Sequence, residues 1–250
     1  MTAVALAEFL ILKADPQATV LHNSRYSQTN IRAAYAQARA GFRAYNTDPL
    51  RRVAGLNKVK ENLLRKAADV DLKPRQRTIL QNSVELIDLF QIRENALGLR
   101  ALPLTKARTF APLMIAGVEL SVQPDFMVEP VNGRLGAVIL RVTKAPDPDA
   151  CRLDATKQQR GDHRREMGRY LVAMLEVLLA AQPEMRARLD RDLIFVSDIR
   201  LGERIGAGGD HTSRIRDIEA ACQQVAALWD GVKPRPAIML KPDADDDLVG

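Results

Sequence analysis

The chain has 250 residues, of which 46% are hydrophobic and 27% are charged, and its net charge is +6. This length predicts one sizeable domain or a domain with an appendage. No uncharged apolar run is long enough to predict a transmembrane helix. The apolar residues 2–13 lack the basic start of a signal peptide and predict a helix or strand of the fold. Cys151 and Cys222 form neither a zinc motif nor a disulfide framework, so we expect a cytoplasmic protein.

The excess positive charge is concentrated in the first 98 residues. This part contains 15 of the 37 Lys and Arg and 9 of the 31 Asp and Glu, a net charge of +6, and the rest of the chain is neutral. A basic surface suits a phosphate-bearing partner such as DNA. A charge of this size is also common in soluble enzymes, so it does not by itself select one function.

The N-terminal part predicts helices. Residues 14–28 contain a proline and several turn formers and predict a loop. A helix is expected to start after Thr29 or Asn30, both of which are good N-caps. Residues 50–70, with a break at Gly55, and residues 74–97 predict two further helices, because their apolar residues recur at helical spacing.

Residues 117–144 predict two strands joined by a tight turn. The first strand alternates apolar and polar side chains up to Asp125. The dipeptide Asn132-Gly133 favours a hairpin, because both residues tolerate a positive φ. The apolar run 137–140 is typical of a central strand that is covered on both faces.

The order of the elements predicts the fold class. A charged helix is expected from residue 154, a buried strand at 193–200 and a final helix at about 212–229. We therefore predict an α/β (α+β) fold with a mixed central β-sheet flanked by helices. Its expected parts are a helical, basic N-terminal part (1–98), an α/β core (99–232) and a disordered, acidic, proline-containing tail (233–250).

Asp125 and Lys144 are the candidate catalytic residues. Each follows or ends a predicted strand, so we expect their side chains to point into one cleft. An acid and a lysine in this arrangement hold a divalent cation and polarise a phosphate. The alternative interpretation is an ordinary acid at a strand end and an ordinary solvent-facing lysine.

Pro124-Asp125, followed by an apolar strand that leads to Lys144, resembles the motif of the PD-(D/E)xK nuclease superfamily, most nearly its recombination-exonuclease branch. The resemblance implies a restriction-endonuclease-like core that cleaves DNA with Mg²⁺ or Mn²⁺. Asp125 would bind the metal, and Lys144 would position the attacking water or the phosphate. The second acid of the motif is replaced by Val142. The resemblance implies an acid from the helix before the sheet, Glu85, as a substitute ligand, and Glu119 on the polar face of the first strand is a further candidate.

The helix after residue 154 is basic in its first half. The resemblance implies that a helix at this place carries Gln-x-x-x-Tyr close to DNA, and Tyr170 matches the tyrosine while Glu166 replaces the glutamine. We expect the following residues to contact the DNA backbone: Lys157, Arg160, Arg164, Arg165, Arg169 and Tyr170. The alternative is a solvated helix face that binds nothing.

Three functions remain open at the level of sequence. The first is a metal-dependent nuclease. The second is a catalytically inactive protein of the same fold that binds DNA or a protein partner without a metal. The third is an assembly protein whose basic helices meet an acidic protein surface. Val142 favours the second function, whereas the presence of Asp125 and Lys144 favours the first.

Overall fold

The computed structural model describes residues 1–26 and 35–234. The helices are α1 (Ala3–Ile11), α2 (Ala14–Tyr26), α3 (Ala36–Thr47), α4 (Val53–Ala67), α5 (Pro74–Arg93), α6 (Asp154–Ala180), α7 (Pro183–Arg186) and α8 (His211–Trp229). The strands are β1 (Leu104–Lys106), β2 (Leu113–Ile115), β3 (Val118–Leu120), β4 (Phe126–Val128), β5 (Leu135–Arg141), β6 (Leu189–Asp198) and β7 (Glu203–Ile205). No helix in these two ranges is both long and apolar enough to cross a membrane.

The main sheet has five strands in the order β1-β4-β5-β6-β7, and β2 and β3 form a separate hairpin. All neighbouring strands of the main sheet are antiparallel except β5 and β6, which are parallel and connected through α6. A parallel pair requires such a crossover connection. This mixed sheet with flanking helices confirms the predicted fold class.

Strand β5 is the centre of the sheet, and all of its residues are buried. Gly136 permits its close approach to β6, because a Cβ atom at this position would lie 2.2 Å from the carbonyl oxygen of Leu193. The side chains of β5 alternate between two apolar cores. Ala137 and Ile139 belong to one core, and Val138 and Leu140 belong to the other.

Helices cover both faces of the sheet. The first core is formed with α1, α2, α6 and α8, and the second with α3, α4 and α5. The N-terminal part is helical where it is described, as predicted. Its helices share both cores with the sheet. Arg39 of α3 contacts the carbonyl of Leu140, and Glu85 of α5 contacts Arg200, so both helices lie beside the carboxyl ends of β5 and β6.

The predicted loop at residues 14–28 is wrong, because Ala14–Tyr26 form α2. Pro16 lies in the first turn, where a missing N–H costs no helical hydrogen bond. Burial of Val20 and Leu21 then stabilises the helix through tertiary packing. The predicted helix start at Thr29 or Asn30 lies outside the described residues.

The predicted strand at 117–128 is divided in two. Its first half, β3, pairs with β2, and its second half, β4, pairs with β1 and β5. Pro124 lies between them and cannot donate a hydrogen bond to a sheet.

Helix α4 is continuous through Gly55, contrary to the predicted break. Most of the predicted acidic tail lies outside the described residues.

Candidate functional site

The carboxylate of Asp125 is buried against two arginines of α3. Arg39 donates from Nε to Oδ1 at 2.6 Å and from Nη2 to Oδ2 at 2.8 Å. Arg43 donates from Nε to Oδ1 at 3.0 Å, and the amide of Leu140 donates to Oδ2 at 2.7 Å. The arginines reach the same carboxylate because residues four apart share one face of a helix. Both oxygens of Asp125 are therefore engaged by N–H donors, and two positive charges face one negative charge.

Lys144 lies beyond the end of β5 and contacts a different helix. Its Nζ atom lies 3.1 Å from Oδ1 of Asn82 and 3.4 Å from Oε2 of Glu85, both on α5. Its side chain is 40% exposed. Asp125 and Lys144 are thus both covered by helices of the second core, but no ion pair joins them, and each has its own partners.

The three predicted metal ligands do not converge. Glu85 binds Arg200 at 2.7 Å and Lys144 at 3.4 Å. Glu119 is exposed on β3, whose neighbouring side chains pack into the first core, whereas Asp125 faces α3 of the second core. Within residues 1–26 and 35–234 no group of three or more His, Cys, Asp or Glu side chains could hold a metal ion. The residues present do not fit a metal centre built on Asp125.

Arg164 is buried and holds the ends of β5 and β6 together. Its Nε and Nη2 atoms donate to Asp198 at 2.8 and 2.7 Å. Its Nη1 atom donates to three carbonyl groups of the segment after β5, those of Thr143, Lys144 and Pro146. These contacts engage all three nitrogens of Arg164, so no donor group is left for a DNA phosphate. Burial, followed by the charge of Arg164, lowers the pKa of Arg141 to about 10.

The other residues predicted to bind DNA on α6 also have partners within the protein. Lys157, Arg165 and Arg169 form ion pairs with Asp154, Glu203 and Glu166, and Arg160 donates to the carbonyl of Asp147. Tyr170 is buried and donates to Asp217 at 3.3 Å. Burial, followed by the charge of Asp217, raises the pKa of Tyr170 to about 12. The positive charge of this helix is largely neutralised locally.

Arg200 is a candidate residue that the sequence analysis did not identify. It lies just after β6, is 2% exposed, and its Nη1 atom contacts Glu85 at 2.7 Å and Asp147 at 3.5 Å. Burial raises the pKa of Glu85, but the hydrogen bond and charge of Arg200, with the charge of Lys144, bring that pKa below its ordinary value. The signal in the sequence is Asp198-Ile-Arg200 at the carboxyl end of a buried strand, where ligand-binding residues often lie.

A groove of about 840 Å³ runs between α3 and α4. Small residues line both walls, namely Ala40, Gly41, Ala44, Ala54 and Gly55. Arg52, Arg65 and Lys66 also line it, together with the single acid Asp48. Arg52 binds the carboxylate of Asp48 at 2.8 Å, and this contact lowers the pKa of Asp48 to about 2. Arg65 and Lys66 are exposed, so the groove presents positive charge to solvent.

No protein-family model matches this chain, and no curated protein is significantly similar to it.

Proposed function

We propose that this protein binds nucleic acid and contains a nuclease-like core in which Asp125 has a structural rather than a catalytic role. Support for the nuclease-like core comes from the order of its elements. Helix α5 precedes the sheet, β4 and β5 form the hairpin that carries Asp125, and α6 follows the strand that leads to Lys144. This order is the one that the resemblance to PD-(D/E)xK nucleases implies.

The observation that carries a non-catalytic role is the pairing of Asp125 with Arg39 and Arg43. A metal ligand must offer a lone pair of an oxygen to the cation. Here the two arginines and the amide of Leu140 donate to both oxygens. The guanidinium groups also neutralise the buried carboxylate, which in a metal site is the role of the bound cation. Val142, at the place of the second acid, is buried among apolar residues of the second core.

The surface that supports nucleic-acid binding is the groove between α3 and α4. Arg65 and Lys66 are exposed on α4, and neither forms an ion pair with a described residue. Exposed cations attract a phosphate backbone because binding releases condensed counterions. The arginines of α6 are less suited, because acids of the protein already compensate them. We therefore assign the backbone contact to the groove rather than to α6.

A second candidate function is binding of an acidic protein segment by exposed side chains of residues 50–66, the segment that also carries basic residues of the groove. Leu50, Val53 and Leu64 are exposed large apolar side chains of the segment that carries the groove's basic residues. Their exposed fractions are 74%, 44% and 48%. Apolar side chains beside basic ones suit an amphipathic acidic helix, whose affinity depends on apolar burial as well as on charge.

The proposal is tested by measuring binding and cleavage of single- and double-stranded DNA at several salt concentrations. We expect binding that weakens steeply with salt and no cleavage in Mg²⁺ or Mn²⁺. Cleavage that requires a metal and stops in EDTA would overturn the non-catalytic role. Absence of DNA binding, together with binding of an acidic amphipathic peptide, would favour the second candidate.

A further inference from the structure

Five arginines of this protein use one edge of the guanidinium group in the same way. The edge formed by Nε and Nη2 donates to a single carboxylate in Arg39, Arg164, Arg165, Arg191 and Arg214. These two parallel N–H groups match the geometry of a carboxylate or a phosphate. Arg200 departs from this pattern.

Arg200 binds acids with Nη1 only. Nη1 contacts Glu85 and Asp147, whereas Nε and Nη2 are buried and have no hydrogen-bond partner among the described residues. The side chain is 1% exposed, so bulk solvent does not reach these two atoms. A buried charged donor without an acceptor is unfavourable. The Nε–Nη2 edge of Arg200, which is well shaped to bind an oxyanion, thus has no acceptor among the described residues.

The surrounding charges also favour an anion. Two groups of ion pairs lie here. Lys144 and Arg200 pair with Glu85 and Asp147, so their charges balance. Arg141 and Arg164 share the single carboxylate of Asp198, which also accepts the backbone N–H of Arg200. The two adjoining groups therefore form a set in which one positive charge is not compensated. The set lies after the carboxyl ends of the parallel strands β5 and β6, which is where ligands commonly bind to open α/β sheets.

We propose that the Nε–Nη2 edge of Arg200 binds an oxyanion of phosphate geometry. Glu85 contacts Nζ of Lys144 and Nη1 of Arg200, which places both cations around one carboxylate. The side chain of Glu85 is 46% exposed. This proposal goes beyond nucleic-acid binding, because the two N–H donors of this edge can bind either a free phosphate ion or a phosphate group of a nucleic acid.

The experiment titrates the full chain with inorganic phosphate, observed by calorimetry and by ³¹P line broadening, in chloride buffer at constant ionic strength. We expect Arg200→Gln to weaken phosphate binding about tenfold or more, because two charge-assisted hydrogen bonds are lost. Glu85→Gln removes a competing carboxylate and should strengthen binding. Arg191→Gln is the control and should bind as the wild type does, because Arg191 is exposed and paired with Glu176.

Lys144→Gln keeps the proposal testable if Arg200→Gln does not fold, because Lys144 is half-exposed. We expect it also to weaken phosphate binding. Failure of the wild type to bind phosphate, or equal binding by wild type, Lys144→Gln and folded Arg200→Gln, would overturn the site. A 5′-phosphorylated oligonucleotide, compared with the same strand without that phosphate, distinguishes the two sources of the anion. Arg65→Gln in the α3–α4 groove should weaken oligonucleotide binding and leave phosphate binding unchanged, so the two proposals fail separately.

Discussion

Arg39 holds the carboxylate of Asp125 with two nitrogens of one guanidinium group, at 2.6 Å from Nε to Oδ1 and 2.8 Å from Nη2 to Oδ2. The same Nη2 atom donates to the carbonyl of Leu140 at 3.1 Å. The contact therefore fastens α3 to the start of β4 and to the central strand β5. An acid that resembles a metal ligand in the sequence stabilises the packing of a helix on the sheet.

This arrangement predicts that Asp125→Asn mainly affects stability. The variant leaves two arginine charges facing a neutral group in a buried position. We expect the free energy of unfolding to fall by about 3–5 kcal/mol, as for other broken buried ion pairs. Urea denaturation of wild type and variant measures this difference. Glu61→Gln, at an exposed position of α4, is the control and should change stability by less than about 0.5 kcal/mol. An Asp125→Asn variant as stable as the wild type would contradict the structural role.

A second prediction separates Arg164 from its neighbour on α6. Arg164→Met leaves Asp198 buried without its bidentate partner, so we expect a loss of about 3–5 kcal/mol in the free energy of unfolding. Arg165→Gln removes a partly exposed pair with Glu203 and should cost about 1 kcal/mol or less. Thermal and urea unfolding of both variants measure the contrast. Similar effects of the two substitutions would argue against a special role of Arg164.

The third prediction concerns the salt dependence of DNA binding. If Arg65 and Lys66 each contact a phosphate, Arg65→Gln and Lys66→Gln should each lower the slope of log K against log salt by about 1. Fluorescence anisotropy with a labelled duplex at several salt concentrations gives this slope. Lys157→Gln on α6 is the matched control and should leave the slope unchanged, because Lys157 pairs with Asp154. A change confined to Lys157→Gln would place the DNA on α6 instead of in the groove.

The fourth prediction follows from Glu176. Burial of Glu176 raises its pKa. The hydrogen bond from Arg191 and the charge of His211 together lower the pKa by more than burial raises it, so the pKa in the folded state lies below its ordinary value of 4.5. A lowered folded pKa stabilises the protein above the unfolded pKa, and this stabilisation is lost as the pH falls through the folded pKa. The difference in stability between wild type and Glu176→Gln should therefore shrink as the pH is lowered from about 6 to about 3.

Urea unfolding at several pH values measures this difference. Arg191→Gln serves as the control, and it should reduce the pH dependence only in part, because His211 still contacts Glu176 at 2.7 Å. A stability difference that stays constant over the whole range would show that the charge of Glu176 does not contribute.

The sequence by itself determined the fold class and most of the regular elements. The charged helix from residue 154, the continuous apolar run of 137–140 and the hairpin signal Asn132-Gly133 are local patterns. The structure contains the corresponding α6, β5 and β4–β5 hairpin, although residues 129–134 connect the two strands instead of a tight turn. Local patterns of this kind are reliable because periodicity and turn chemistry act over a few residues. They do not report burial by distant segments, which is why the helix at Ala14–Tyr26 was predicted as a loop.

Only the tertiary structure decided which charges meet. Arg39 and Asp125 are 86 residues apart in the chain, and Glu85 and Arg200 are 115 residues apart. The spacing of Asp125 and Lys144 predicted a shared cleft, but packing against α3 and α5 gave each residue separate partners. An ion pair forms only when the two charged groups lie within about 4 Å of each other. Their roles therefore depend on how helices from distant parts of the chain pack on the sheet, and the sequence around each residue does not encode that packing locally.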